Sequence, residues 1–163
     1  LVRPEAAGVY RRTQAERDDQ WLSWNRTDQA FFASGACHIL AWACREAYPE
    51  RAVGIAAMRF VGEARAFHAY ATWGSWSFDH SGWNAEPDLL AVNSDFEGRR
   101  IERFEVRSGL ASFCQDHYSR MPADYWEDPR RRARSYVRRF EPPWLGVEPV
   151  LDDPGRSDPQ DLA

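Results

Sequence analysis

The chain has 163 residues, a formal net charge of −4 and a pI near 5.6. The length suits one domain with a modest tail, large enough to bury a core without staples. The acidic balance argues against nucleic acid or an anionic membrane as the main partner, because phosphate binding needs a basic face. All 21 basic residues are arginine, which base composition of the genome explains most simply. Three cysteines, Cys37, Cys44 and Cys114, form no disulfide framework. Cys37 and Cys44 stand two helical turns apart, too far to bridge. No apolar run reaches the 18 or so residues of a membrane span. The chain begins at Leu1 without methionine, which fits a piece cut from a larger parent chain.

Residues 1–10 read as a linker and residues 11–25 as a helix with Trp21, Leu22 and Trp24 near its end. A polar break follows over residues 25–28. A second helix is expected over residues 35–48, capped by Ser34 and stopped by Pro49. Cys37, Leu40, Ala41, Cys44 and Tyr48 share one of its faces. Residues 53–61 suit a buried strand and residues 62–65 a turn. Residues 67–73 and 76–80 read as a hairpin, with Gly74-Ser75 as a two-residue type II′ loop. A short helix over 86–92, a half-buried strand over 101–106 and helices over 109–119 and 123–139 complete the domain, residues 1–140. The arginines at 130–132, 134, 138 and 139 read as a solvated helix face. Residues 141–163 carry five prolines and read as an extended or disordered tail.

The hairpin register carries the chemical argument. With Gly74-Ser75 as the loop, Trp73 pairs with Trp76, Thr72 with Ser77, Ala71 with Phe78 and Tyr70 with Asp79. Alternation then puts His68, Tyr70 and Asp79 on one face and His80 on the other. Asp79 becomes the diagonal neighbour of His68, with Cβ atoms about 7–8 Å apart or less, close enough for one hydrogen bond. Cys37 falls in the first turn of its helix, where free N–H groups and the helix dipole favour a thiolate. Gly35, in the small Ser34-Gly35-Ala36 run, lets a substrate carbonyl approach the backbone. Gln29 is the expected second oxyanion donor, with Asn25 behind it. Trp73, Trp76 and Trp83 are expected to wall the cleft. His38 points about 100° away from Cys37 along a helix, which suits packing better than catalysis. No metal is expected, since no C-x-x-C or H-x-x-x-H spacing occurs.

The run Gly35-Ala36-Cys37-His38-Ile39-Leu40-Ala41-Trp42-Ala43, followed by His68-Ala69-Tyr70-Ala71 and Phe78-Asp79-His80-Ser81-Gly82, resembles the papain-like and transglutaminase-like cysteine enzymes. It also resembles small bacterial and phage proteins with a Gly-x-Cys-His-x-x-Ala-x-Ala run. The resemblance spans roughly residues 29–84. It implies an α+β fold in which the cysteine helix packs on an antiparallel sheet. It also implies a Cys37-His68-Asp79 triad that needs no cofactor and acts on a protein or peptide substrate. Two positions depart from those families: His38 stands where transglutaminases often carry tryptophan, and Phe31 where papain-like enzymes carry the oxyanion glutamine.

The expected activity is acyl transfer at a peptide bond or a glutamine carboxamide, as in a thiol protease or a protein deamidase. The expected setting is cytoplasmic, or that of a secreted effector or toxin module with an immunity-type partner. The alternative from another class is a non-catalytic module of the same fold that binds peptide or sugar in a tryptophan-lined groove.

Overall fold

In the computed structural model, which describes residues 3–146, the described part of the expected linker packs onto the domain, the Glu5 N–H donating to Ser81 Oγ at 2.9 Å. Ala7–Tyr10 forms a 3-10 turn, and the Ala7 N–H donates to Asn93 Oδ1 at 3.1 Å. Two caps split the helix expected over 11–25. Thr13 and Glu16 form a capping box on α1 (Gln14–Asp18). Asp19, in extended backbone, then accepts from the Trp21 and Leu22 N–H groups to start α2 (Gln20–Trp24). Thr27 caps α3 (Asp28–Ala33), a helix the polar run at 25–28 conceals. Its Ala30-Phe31-Phe32-Ala33 segment is buried.

The central helix α4 (Cys37–Ala47) starts later than expected, because Ser34 ends α3 instead of capping α4. Every residue from His38 to Cys44 is buried, as expected of a helix covered on all sides. The sheet lies on one side. On others lie α6 (Leu110–Asp116) and α7 (Arg130–Val137). Phe32, Ile39 and Leu40 are each at most 1% exposed, and burying each stabilises the fold by about 1.5–3 kcal/mol. Cys44 and Cys114 are buried and unpaired, so both serve as packing residues.

Five antiparallel strands form the sheet: β1 (Gly54–Phe60), β2 (Ala66–Trp73), β3 (Trp76–Asp79), β4 (Gly82–Ala85) and β5 (Ile101–Val106), in the order β4-β3-β2-β1-β5. The hairpin has the expected register: Trp73 faces Trp76, Thr72 faces Ser77 and Ala71 faces Phe78. Gly74 has φ 56° while Ser75 does not enter positive φ, as a type II′ loop requires. The strand β4 was not expected. The chain reverses at His80-Ser81 through Gly82, whose φ is 81° and whose missing Cβ leaves room for the Phe140 ring.

From β4 the chain crosses the sheet in α5 (Glu86–Glu97), longer than the expected residues 86–92 and ended by Gly98 at φ 61°. The two faces hold separate cores. Ala69, Ala71 and Phe78 join the α4 side, while Ala56, Met58 and Tyr70 pack with Leu89 of α5.

The helix expected over 123–139 is interrupted, because Asp128 precedes Pro129, which disfavours helical backbone there. Arg132 is not a solvated face residue. Its guanidinium donates to Asp28 Oδ1 (2.6 Å), Trp24 O (2.7 Å) and Arg26 O (2.8 Å), and lies over the Phe31 ring. In the expected tail, Pro143–Leu145 forms a 3-10 turn. Trp144 packs edge-on against Tyr48, Trp73 and Trp83. Residues 147–163 lie outside the described residues. No helix among the described residues is long and apolar enough to cross a membrane.

Candidate active site

The start of α4 is built without a cap. Ala36 occupies the cap position and supplies no side-chain acceptor. The first backbone N–H groups of α4, beginning at Cys37, therefore keep their hydrogen-bonding capacity. Gly35, at φ 113°, turns the chain from α3 into α4. Its carbonyl accepts the Tyr125 hydroxyl, and the Arg12 guanidinium covers its α-carbon, where an added Cβ would stand 3.2 Å from Cζ.

His68 on β2 and Asp79 at the end of β3 meet as the register implies. The His68 Nε2–H donates to Asp79 Oδ2 at 2.9 Å, and both side chains are at most 1% exposed. Asp79 Oδ1 accepts the Ser81 N–H at 2.8 Å. Burial opposes ionisation of Asp79, but His80, His68 and the Ser81 amide outweigh it and hold the carboxyl below its usual range.

The Cys37 thiol is coupled to two imidazoles. Burial pushes the thiol up; the His38 and His68 imidazoles, through the charge on each ring, hold it well below its ordinary value. Burial likewise opposes protonation of His68, and the bond to Asp79 and the negative charge of the Cys37 sulfur overcome it, raising the imidazole. His68 Nδ1 has no partner at conventional hydrogen-bond geometry.

Three expectations are corrected. His38 packs as expected. Its Nε2–H donates to the Arg120 carbonyl at 2.7 Å, its ring stacks on Phe113, and Cys114 and Cys37 raise it to about 9 against burial. His80 is not turned away from His68. Strand β3 ends at Asp79, so alternation stops there, and His80 packs edge-on to His68 with Nδ1 3.2 Å from Asp79 Oδ2.

Gln29 lies away from Cys37, in a second cavity with Thr27, Asp28 and His80, and donates to Glu5. Asn25 is bonded to the Trp21 carbonyl. Trp73 and Trp83 pack against Trp144, and Trp76 sits at the hairpin end; none lines the Cys37 cavity. At about 3.3 Å per residue, the five steps from His68 to Trp73 carry the tryptophan well beyond reach of the thiol.

Cys37 is half-buried and opens into a cavity of about 470 Å³, with Ser34, Gly35 and His38 on the same wall. His68 and Asp79 are enclosed and do not line it. His68, Asp79 and His80 also bring three donor atoms within 4.8 Å of one another. Among the described residues this group has no fourth ligand, and all three side chains are enclosed. It matches neither a four-ligand structural zinc site nor an open catalytic one. Arg12, Arg120 and Tyr125 were not anticipated; nothing in the local sequence ties residues so distant in the chain to Cys37. No family model, curated protein or solved structure matches this chain.

Proposed function

We propose that this chain is a thiol-dependent acyl-transfer enzyme with a papain-like or transglutaminase-like core, acting on a peptide bond or a glutamine carboxamide. Cys37 is the nucleophile, His68 the base and acid, and Asp79 the group that orients His68. The observation that carries this reading is the buried His68–Asp79 pair, bonded at 2.9 Å, in a fold that also sets a half-buried Cys37 at an uncapped helix start.

On this reading the resting pair is Cys37 thiolate and His68 imidazolium. The sulfur attacks the carbonyl carbon, and the developing oxyanion takes the free N–H groups at the start of α4. The C–N bond then breaks. The leaving amine, or ammonia from glutamine, takes its proton from His68 Nδ1, the nitrogen Asp79 does not use. A thioester remains on Cys37. Water, deprotonated by His68, attacks the thioester, releases the acid and restores the thiolate. An amine in place of water gives transfer.

Of the tryptophans in the binding-module alternative, Trp73 and Trp83 pack against Trp144, and Trp76 stands exposed at the hairpin end. Alkylation tests the enzyme reading directly. Iodoacetamide at neutral pH is expected to add once, at Cys37, as read by intact mass and peptide mapping. Cys44 is fully buried and its thiol is pushed up by burial, so it stays unmodified. An unreactive Cys37, or equal labelling of all three thiols, would contradict the proposal.

A further inference from the structure

The Cys37 cavity carries a charge opposite to that of the chain. Four arginines line it, Arg11, Arg12, Arg65 and Arg120, against two glutamates, Glu63 and Glu97. Both glutamates are already engaged: Glu97 pairs with Arg11, and Glu63 with Arg99 at 2.7 Å. Among the described residues, Arg12, Arg65 and Arg120 have no carboxylate partner. Arg120 donates to Gln20 Oε1 at 3.0 Å, and Arg65 reaches only the Tyr118 carbonyl, at 3.5 Å.

Arg12 is the most telling of the three. It is half-buried against Gly35, and its Nε is buried without any hydrogen-bond partner. Burial and the nearby Arg120 both work against its charge. Packing unpaired guanidiniums together is unfavourable unless an anion joins them. On the proposed reading the Cys37 thiolate is paired with the His68 imidazolium and is not that anion. A guanidinium matches a carboxylate with two parallel N–H···O bonds.

We propose that this cavity selects peptide substrates bearing a carboxylate beside the reacting carbonyl, held by Arg12, Arg65 and Arg120. The inference rests on the acyl-transfer reading of Cys37 and names the substrate class of that site. Acidic segments enter favourably; neutral and basic ones lack the partner the arginines require. The carboxylate comes from an Asp or Glu side chain or from a peptide carboxyl terminus, the same chemistry at the guanidiniums.

The test compares two alkylating probes on the intact chain, iodoacetate and iodoacetamide, each displaced at the C–I bond by the thiolate with loss of iodide. A solution thiolate repels the anionic probe. At Cys37 the iodoacetate-to-iodoacetamide rate ratio should exceed that of a free cysteine peptide by about tenfold or more at low salt. The ratio should fall as salt is added. Arg65→Gln and Arg12→Gln should each lower it. Arg65 is exposed, so its substitution leaves packing intact, and the iodoacetamide rate in each variant reports the state of the thiolate.

Peptides then locate the carboxylate. A peptide capped at both ends with an internal glutamate beside glutamine should slow iodoacetamide labelling of Cys37, and a neutral analogue should not. Protection only by uncapped peptides would assign the terminal carboxylate instead. A free-cysteine-like ratio, a ratio unmoved by both arginine variants, or no protection by any acidic peptide would overturn the proposal while leaving the nucleophile reading standing. Failure of Cys37 to react with either probe would defeat both.

Discussion

Cys37→Ala is expected to lower turnover by about 10⁴-fold or more, since a nucleophile and its base act as one unit and the remaining groups only bind and polarise. The assay is ammonia release and fragment masses from a mixed library of peptides and glutamine amides. His68→Ala should be about as damaging, and the double variant no worse than either, because the losses do not add. The fold should survive Cys37→Ala. The residue opens on the cavity at the first position of α4, so it contributes little core volume. Its unfolding midpoint in urea should stay close to that of the parent chain. Cys44→Ala should do the reverse: it should cost stability, by about 1–2 kcal/mol, and leave the chemical step alone. Full activity in Cys37→Ala would sink the mechanism. Loss confined to Cys44→Ala would move it to another thiol.

The second large effect is on stability. Asp79→Ala removes the acceptor of the His68 Nε2–H, the Ser81 N–H and the charge beside His80 Nδ1. All of these groups are buried, so each is left without water or partner. Breaking a buried pair in this way costs about 3–5 kcal/mol. A urea titration should show a lower midpoint with an unchanged slope, the signature of lost stability rather than altered compactness. Asp79→Asn should be milder in both fold and turnover, because an amide oxygen still accepts one bond and the thiolate survives. A loss below about 1 kcal/mol in Asp79→Ala would mean that the pair is not the structural hub its geometry suggests.

The parts of this site legible in the sequence were those set by local rules. A glycine-first loop fixes the register of β2 and β3, and register alone brings His68 to Asp79. A cysteine after a run of small residues at a helix start needs no tertiary information either. What stayed hidden depended on where alternation stops and on which distant segments pack together. His80 follows the last residue of β3, so the rule that placed it opposite His68 no longer applied. Gln29 is close to Cys37 in the chain, but α3 points it toward Glu5.

Ser34 looked like a cap because serine is a strong one, yet it closes α3, and the uncapped start that results favours the proposed chemistry more than a cap would. Trp73 and Trp83 lie close to the site in sequence, but Trp144, far along the chain, draws both into packing instead. Arg12 and Arg120 reach the cavity only through tertiary packing.

The central claim, a thiolate held by imidazolium at Cys37, is tested most directly by titrating the far-ultraviolet thiolate absorbance of the parent chain against Cys37→Ala. An ordinary cysteine ionises at about pH 8.5. Imidazoles that favour the charged sulfur shift ionisation downward, so the difference signal should be complete at neutral pH and lost only as pH falls well below it. His68→Ala should move the midpoint upward, because a cation that favours the thiolate has been removed. A difference signal that first develops above about pH 8, and does not respond to His68→Ala, would contradict the account.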